Sequence, residues 1–396
     1  MDVTLDAATT LPQDSYAGTL IGRAWVPEVN GPSVVLVRAD GVWDLSAAAP
    51  TVAGLLNAED PLAVVRGAAR DRRLGSLEDL LANTPPAGRD PQRPWLLAPL
   101  DLQAIKAAGV TFAQSLLERV VEEQSRGEPG RADAVRAGLV AEIGTDLASV
   151  KPGSPEAERL KAVLQKQGLW SQYLEVGIGP DAEIFTKSQP MSAVGTGAAI
   201  GLHPKSVWNN PEPEIVLAVS AAGAIRGAAL GNDVNLRDFE GRSALLLSKA
   251  KDNTGSCAIG PFVRLFDETF GLDDVRRAEI ALAVEGDDGF VLDGASSMRM
   301  ISRDPADLVA QAIGRQNQYP DGLVLFLGTM FAPTKDRGAA GSGFTHKLGD
   351  RVTIATPALG ALVNRVQTSD TLPPWTFGTL ALMRNLAQRG LLAPRR

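Results

Sequence analysis

The sequence predicts an α+β fold rich in strand. Three observations carry the prediction. Short β-branched and apolar runs recur from about residue 172 onward, set between Gly, Asn, Asp and Pro turns. A block at roughly 103–168 repeats its apolar residues at helical spacing instead. Ahead of both stands a small β unit around 18–45.

In that first unit SVVLV and VWDL flank Arg38-Ala39-Asp40-Gly41, and Asp-Gly is a strong signal for a tight hairpin. The stretch TPPAGRDPQRP at 84–94 resists both helix and strand, so a boundary is expected there. This divides the chain into a small β-containing N-terminal domain, 1–97, and a main domain, 98–396. Helices are expected at 113–124, 134–149 and 156–166. Ser154-Pro155 starts the last of them, with Ser as N-cap and Pro in the first turn. Strands are expected in EIVLAV, AIRGAAL, EIALAVE, GLVLFLG and DRVTIAT. Asp304-Pro305 opens a helix to about 317, and 378–391 reads as a C-terminal helix ended by Gly390.

Composition narrows the function. The 396 residues are 44% apolar and 21% charged, ordinary globular usage. A net charge of −7 argues against a broad grip on nucleic acid or anionic membrane. No apolar run reaches about 18 residues and no signal peptide is visible, so a soluble cytoplasmic protein is the expectation. One cysteine and two histidines rule out Cys₄, Cys₂His₂ and three-His zinc sites. A metal site must be built from carboxylates, which favours Mg²⁺, Mn²⁺ or Ca²⁺. Cys257 reads as a small core residue. GTGAAIG at 195–201 lacks the spacing of a dinucleotide loop and reads as a turn.

The most informative stretch is 209–242. Glu212 and Glu214 share one face of a strand, because side chains alternate, and their repulsion implies a counter-charge. A hairpin with a two- or four-residue loop across 220–223 sets Glu214 opposite Ala229 and Glu212 opposite Gly231. Asp233 then joins the face of both glutamates. A three-residue loop would flip that parity. Three convergent carboxylates suit a hard divalent cation. A solvated acidic strand end accounts for the same spacing equally well. Arg237 and Lys251 follow, residue types that hold carboxylates or stabilise an enolate.

EPE at 212–214, NDVNLRD at 232–238 and KDNTGSCAIGP at 251–261 together resemble the fumarylacetoacetate hydrolase superfamily. FLGTMFAP at 326–333 and KLGDRVTI at 347–354 add to the likeness, which spans roughly 98–396. The resemblance implies a mixed β-roll, metal ligands at Glu212, Glu214 and Asp233, Mg²⁺ (or Mn²⁺) as cofactor, and an active-site lysine at Lys251. It also implies a homodimer or homotetramer. One departure stands out. Where hydrolytic members carry a water-activating His, GVTFAQSLLE at 109–118 has Ser115, while Glu118 matches. A neutral Ser cannot serve as that base near neutral pH without help.

The wording of YLEVGIGPDAEIFTK, SVWNNPEPE and GFTHKLGDRV resembles the 2-keto-3-deoxy-pentonate (arabinonate/xylonate) dehydratase branch. That branch implies dehydration of a keto sugar acid to 2,5-dioxopentanoate in non-phosphorylative pentose breakdown. The implied catalytic groups are Lys251 as base, with a lowered pKa, and Glu183 or Glu118 as acid. Arg237, Ser115, Thr329, Thr345 and His346 are the implied substrate-binding or supporting groups; a structural histidine accounts for His346 as well. Two other readings stand beside the lyase: a C–C hydrolase of acylpyruvate or diketo sugar acids, and a non-catalytic metal-binding protein.

Overall fold

Alternation in EIVLAV and AIRGAAL builds two strands, Pro213–Val219 and Ile225–Asp233, that pair antiparallel at the centre of the molecule. The computed structural model describes residues 3–143, 150–166, 168, 170–331, 333, 335–338 and 343–392. Among them the central pair belongs to an eleven-stranded sheet. Its order across the sheet is Arg73–Gly75, Gly41–Asp44, Gly31–Arg38, Leu20–Val26, Cys257–Leu265, Ile225–Asp233, Pro213–Val219, Leu323–Phe326, Ala104–Gly109 and Glu183–Ser188, with Trp95–Leu97 also on Leu20–Val26. A second, five-stranded sheet runs Val291–Ser297, Glu279–Glu285, Arg351–Thr356, Gly360–Thr368 and Ala199–Leu202.

The period of two sorts the core. Ile215, Leu217 and Val219 face the smaller sheet and pack with Ile280, Leu282 and Ile354. Val216 and Ala218 take the opposite face, where they meet Ile21, Val34 and Leu36 and the helix Val52–Leu56. The N-terminal unit therefore covers the second face of the central sheet. It also joins that sheet edge to edge, Leu20 opposite Arg264 and Ile21 opposite Val263.

The strand-rich α+β expectation holds, and so do most elements. The hairpin turns at Ala39-Asp40, with Arg38 paired to Gly41. Helices form at Ala113–Ser125, Pro155–Lys166, Pro305–Ala312 and Thr379–Gln388. Ser154 Oγ accepts the Ala157 N–H at 3.2 Å, and Asp304 caps the next helix through Ala306 N–H at 2.8 Å. The helix expected at 134–149 starts earlier, as Pro129–Ile143, and 144–149 lie outside the described residues.

Three expectations fail. Residues 104–109 are a strand, because a short apolar run is claimed by parallel pairing with Leu323–Phe326. Gln172–Ile178 is a helix, capped by Ser171, where strand was expected. The second half of GTGAAIG is strand Ala199–Leu202, held on Gly360–Thr368. Among the described residues no helix is long and apolar enough to cross a membrane.

Candidate active site

The turn between the two central strands decides where the carboxylates point. Ser220 N–H bonds the Ala224 carbonyl at 2.9 Å and Gly223 has φ +80°, which closes a three-residue loop. That loop alone would turn Asp233 away from Glu212 and Glu214. A bulge between Ile225 and Gly227 inserts one more residue and restores the parity. Glu214 thus lies opposite Gly231, and the Asp233 N–H bonds the Glu212 carbonyl at 3.1 Å. The expected partners, Ala229 for Glu214 and Gly231 for Glu212, are displaced by two positions, a shift that leaves the faces unchanged. One carboxylate oxygen from each of Glu212, Glu214 and Asp233 lies within 4.8 Å of the others.

The counter-charge that two adjacent glutamates imply is threefold. Lys251 Nζ donates to Glu212 Oε2 at 2.7 Å and to Asp233 Oδ2 at 3.1 Å. Lys187 Nζ, wholly buried, stands 2.9 Å from Asp233 Oδ1 and donates to the Lys251 carbonyl. Arg119 pairs with Glu212, and its Nη1 lies 2.7 Å from Glu122 and 2.9 Å from Glu240. Glu214 accepts instead the backbone N–H of Gly328 at 2.6 Å. Lys187, Arg119, Glu122 and Glu240 escaped the sequence reading. Alternation along Glu183–Ser188 sets Lys187 on the face of Glu183, and helical spacing sets Arg119 one turn after Ser115.

Burial and charge set the protonation. Burial pushes Glu214 well up, and Asp233 and Glu212 push it further. Burial would raise Asp233 too, but Lys187 and Lys251 outweigh it and hold the carboxyl below its ordinary range. Glu183 is raised, chiefly by burial, and Glu240 is pushed up to about 7 for the same reason. Lys251 corrects an expectation. Burial favours its neutral form, yet Asp233 and Glu212 raise its pKa instead of lowering it. In this arrangement it is a charge partner.

Glu183, Ser115 and Thr329 line the cavity beside the three carboxylates. Gly109 makes room for Glu183: a Cβ there would meet Glu183 Oε2 at 2.0 Å. Val110 next to it has φ +55°, a strained value for a β-branched residue. Ser115 Oγ donates to the Phe112 carbonyl at 3.0 Å. Glu118 lies behind this layer. Arg136 grips it at 2.6 and 2.8 Å, and Arg237 Nη2 donates to it at 3.0 Å. Arg237 also donates to Glu122 at 2.6 Å and stacks on Trp208, 4.2 Å from the ring centre. Its guanidinium is engaged by the wall of the pocket.

Thr345 and His346 are not among the residues lining that cavity. Thr345 accepts from Asn209 N–H at 3.4 Å, and buried His346 shares Nδ1 with Asp350 at 3.1 Å, a structural placement. Cys257 is a buried core residue, its thiol pushed up to about 12 by burial.

The donor set fits a divalent cation. Eight carboxylates (Glu118, Glu122, Asp133, Glu183, Glu212, Glu214, Asp233 and Glu240) meet five cations (Arg119, Arg136, Lys187, Arg237 and Lys251), which leaves three negative charges in excess. The raised Glu214, Glu183 and Glu240 are the other symptom of that excess. All three convergent donors are hard oxygens, the type that Mg²⁺ or Mn²⁺ takes.

Comparison with known proteins bears on this geometry. Residues 178–367 match the family model for the fumarylacetoacetate hydrolase C-terminal domain. Over 204 residues the chain is 31% identical to a probable 2-keto-3-deoxyxylonate dehydratase of Haloferax volcanii, covering 52% of this chain and 66% of that protein. Over 185 residues it is 31% identical to a 2-dehydro-3-deoxy-D-arabinonate dehydratase of Saccharolobus solfataricus, covering 47% and 58%. The matched segments thus span less than two thirds of each relative's length, 66% of one and 58% of the other. A solved 2-keto-3-deoxy-D-arabinonate dehydratase, complexed with magnesium and 2,5-dioxopentanoate, superposes with a TM-score of 0.58 at 21% identity over 88% of this chain and 99% of that one. A 5-carboxymethyl-2-hydroxymuconate delta-isomerase from Mycobacterium smegmatis shares the fold at a TM-score of 0.51 and 18% identity, over 88% and 98%.

Proposed function

We propose, on the premise that residues 178–367 form a fumarylacetoacetate hydrolase-type domain, that this chain is a divalent-metal-dependent hydro-lyase. Its substrate is a 2-keto-3-deoxy-pentonate and its product 2,5-dioxopentanoate. The observation that carries the reading is the convergence of Glu212, Glu214 and Asp233 beside Glu183, a buried carboxyl whose pKa burial raises. Two relatives whose names state this dehydration support it.

Glu212, Glu214 and Asp233 hold the cation, Mg²⁺ by the hardness of the donors. Bound there, the cation would polarise the 2-keto oxygen and acidify the C3–H bond. Lys187 and Lys251 keep Asp233 ionised, and Lys251 and Arg119 fix Glu212 in place. Glu183 donates its proton to the hydroxyl leaving C4, so that water departs. Loss of the C3 proton and the C4 hydroxyl leaves a C3–C4 double bond conjugated to the ketone. Removal of a C5 proton and return of a proton to C3 shift it to a C4–C5 enol, which tautomerises to the aldehyde. Lys251 is the candidate base for the C3 proton, on the condition that it leaves Glu212 and Asp233 and first gives up its own ammonium proton. Arg237 holds Glu118 and Glu122, and through them the wall of the pocket. Ser115 favours the lyase over a C–C hydrolase, because no imidazole is at hand to activate water.

The test is product analysis. The purified chain is incubated with 2-keto-3-deoxy-D-pentonate, with Mg²⁺ or with EDTA, and the aldehyde is read through a coupled semialdehyde dehydrogenase. Metal-dependent aldehyde formation is expected. Pyruvate from a diketo acid, with no aldehyde from the pentonate, would replace this reading with the hydrolase.

A further inference from the structure

A cavity of about 730 Å³ lies apart from the carboxylate pocket and shares no lining residue with it. Its volume is that of a site for a small organic ligand. Aromatic rings form one wall. Trp25 and Trp95 stack with centres 5.7 Å apart, and Phe377 meets Trp25 edge-on at 5.1 Å. Trp375, 48% exposed, stands at the rim.

Two arginines line this space without adequate anions. The Arg89 guanidinium lies 4.7 Å over the Trp95 ring. Its Nε and Nη2 donate to the carbonyls of Asn83 and Thr84, and no carboxylate pairs with it among the described residues. Burial pulls its pKa down to about 10. Arg23 is only 5% exposed. Its Nη1 donates to the Leu100 carbonyl at 2.6 Å, while Nη2 finds the Met191 thioether at 3.6 Å, a weak acceptor. Asp101 stands off at 4.0 Å, its oxygens already accepting the N–H groups of Val52 and Ala53 at 2.7 and 2.9 Å. A buried cation so poorly compensated is costly unless an anion reaches it. Met191, which lines the same space, is held at φ +69°. Strain of that kind gathers at ligand clamps.

We propose that this cavity binds a small planar aromatic carboxylate. The ring system lies against Trp25, Trp95 and Phe377, and the carboxylate takes charge-assisted hydrogen bonds from Arg89 and Arg23. Ser188 and Asp252 line the same cavity, hydrogen-bonded at 3.1 Å, and they directly follow Lys187 and Lys251. An occupant therefore lies one residue along the chain from each of the two lysines that hold Asp233.

The probe is 2-naphthoate titrated into the full chain, read by calorimetry and by quenching of tryptophan fluorescence. Saturable binding at one site per chain is expected. Arg89→Met should weaken it at least about tenfold, the worth of one charge-assisted hydrogen bond. Thr371→Trp fills the mouth from an exposed position and should abolish binding. It keeps the proposal testable if Arg89→Met unsettles the loop that Arg89 ties. Glu214→Gln should bind the probe as the parent chain does. Three results would overturn the proposal: no saturable binding, equal binding in both cavity variants, or self-association of the chain that Thr371→Trp abolishes while naphthoate has no effect, which would make the occupant a second copy.

Discussion

Glu214 has no cation among its hydrogen-bond or ion-pair partners in the described residues; the Gly328 N–H is what it accepts. With its pKa raised in the folded state, its charge opposes folding of the metal-free chain once pH passes the ordinary carboxyl range. Glu214→Gln should therefore raise the thermal midpoint of the metal-free protein at pH 7 to 8. Added Mg²⁺ should raise the midpoint of the parent and barely move that of the variant. Metal-dependent turnover of the variant should fall at least about 100-fold. Full activity in the variant would remove Glu214 from the ligand set. Glu240 supplies a second sign. Its pKa rises from 4.5 to about 7 on folding. The proton it binds thus stabilises the fold fully below 4.5, and that contribution is lost as pH climbs through 7. Urea unfolding of the metal-free chain should find it less stable at pH 8 than at pH 5, and Glu240→Gln should take away a share on the order of 2–3 kcal/mol. A pH dependence unchanged by that substitution would contradict the assignment.

Elements place these residues by parity, which is why the carboxylate triad was legible and its surroundings were not. Parity along Pro213–Val219 and Ile225–Asp233 survives two compensating irregularities, the three-residue loop and the bulge. The sequence holds no separate mark for either, so the facing residues were misjudged while the shared face was not. Lys187 and Arg119 come from a strand and a helix far off in the chain, and only tertiary packing brings them to Asp233 and Glu212. The strand Ala104–Gly109 ends at the site with a glycine for the same reason. It runs beside Glu183–Ser188, with Gly109 opposite Glu183. In Gly109→Ala the new Cβ would collide with the Glu183 carboxylate, the far end of a flexible side chain, so the carboxylate moves and the strand stays. Turnover of the keto acid should drop about 10- to 100-fold with an unchanged melting curve. A fully active, equally stable variant would show that Glu183 is not the proton donor.

At the scale of the molecule, the N-terminal β unit was legible as a hairpin, and its attachment was not. Pairing between residues some 240 positions apart leaves no local trace. Yet Leu20–Val26 adds to the edge of Cys257–Leu265, and Ile21, Val34 and Leu36 bury the face that carries Val216, Ala218, Ile259 and Val263. Proline and glycine at 84–94 mark a break in regular structure; they carry no information on how much apolar surface lies across the break. Removing residues 1–97 would uncover that face and leave the Val263–Leu265 end of the strand Cys257–Leu265 as an open edge, the combination that drives aggregation. A chain of 98–396 should therefore collect in the insoluble fraction or bind a hydrophobic dye strongly, although it keeps Glu212, Glu214, Asp233, Lys187 and Lys251. Size-exclusion chromatography with circular dichroism decides the matter. A well-folded, monodisperse 98–396 would mean that the central sheet closes without the N-terminal unit, and that the packing of Ile21, Val34 and Leu36 adds little to its stability.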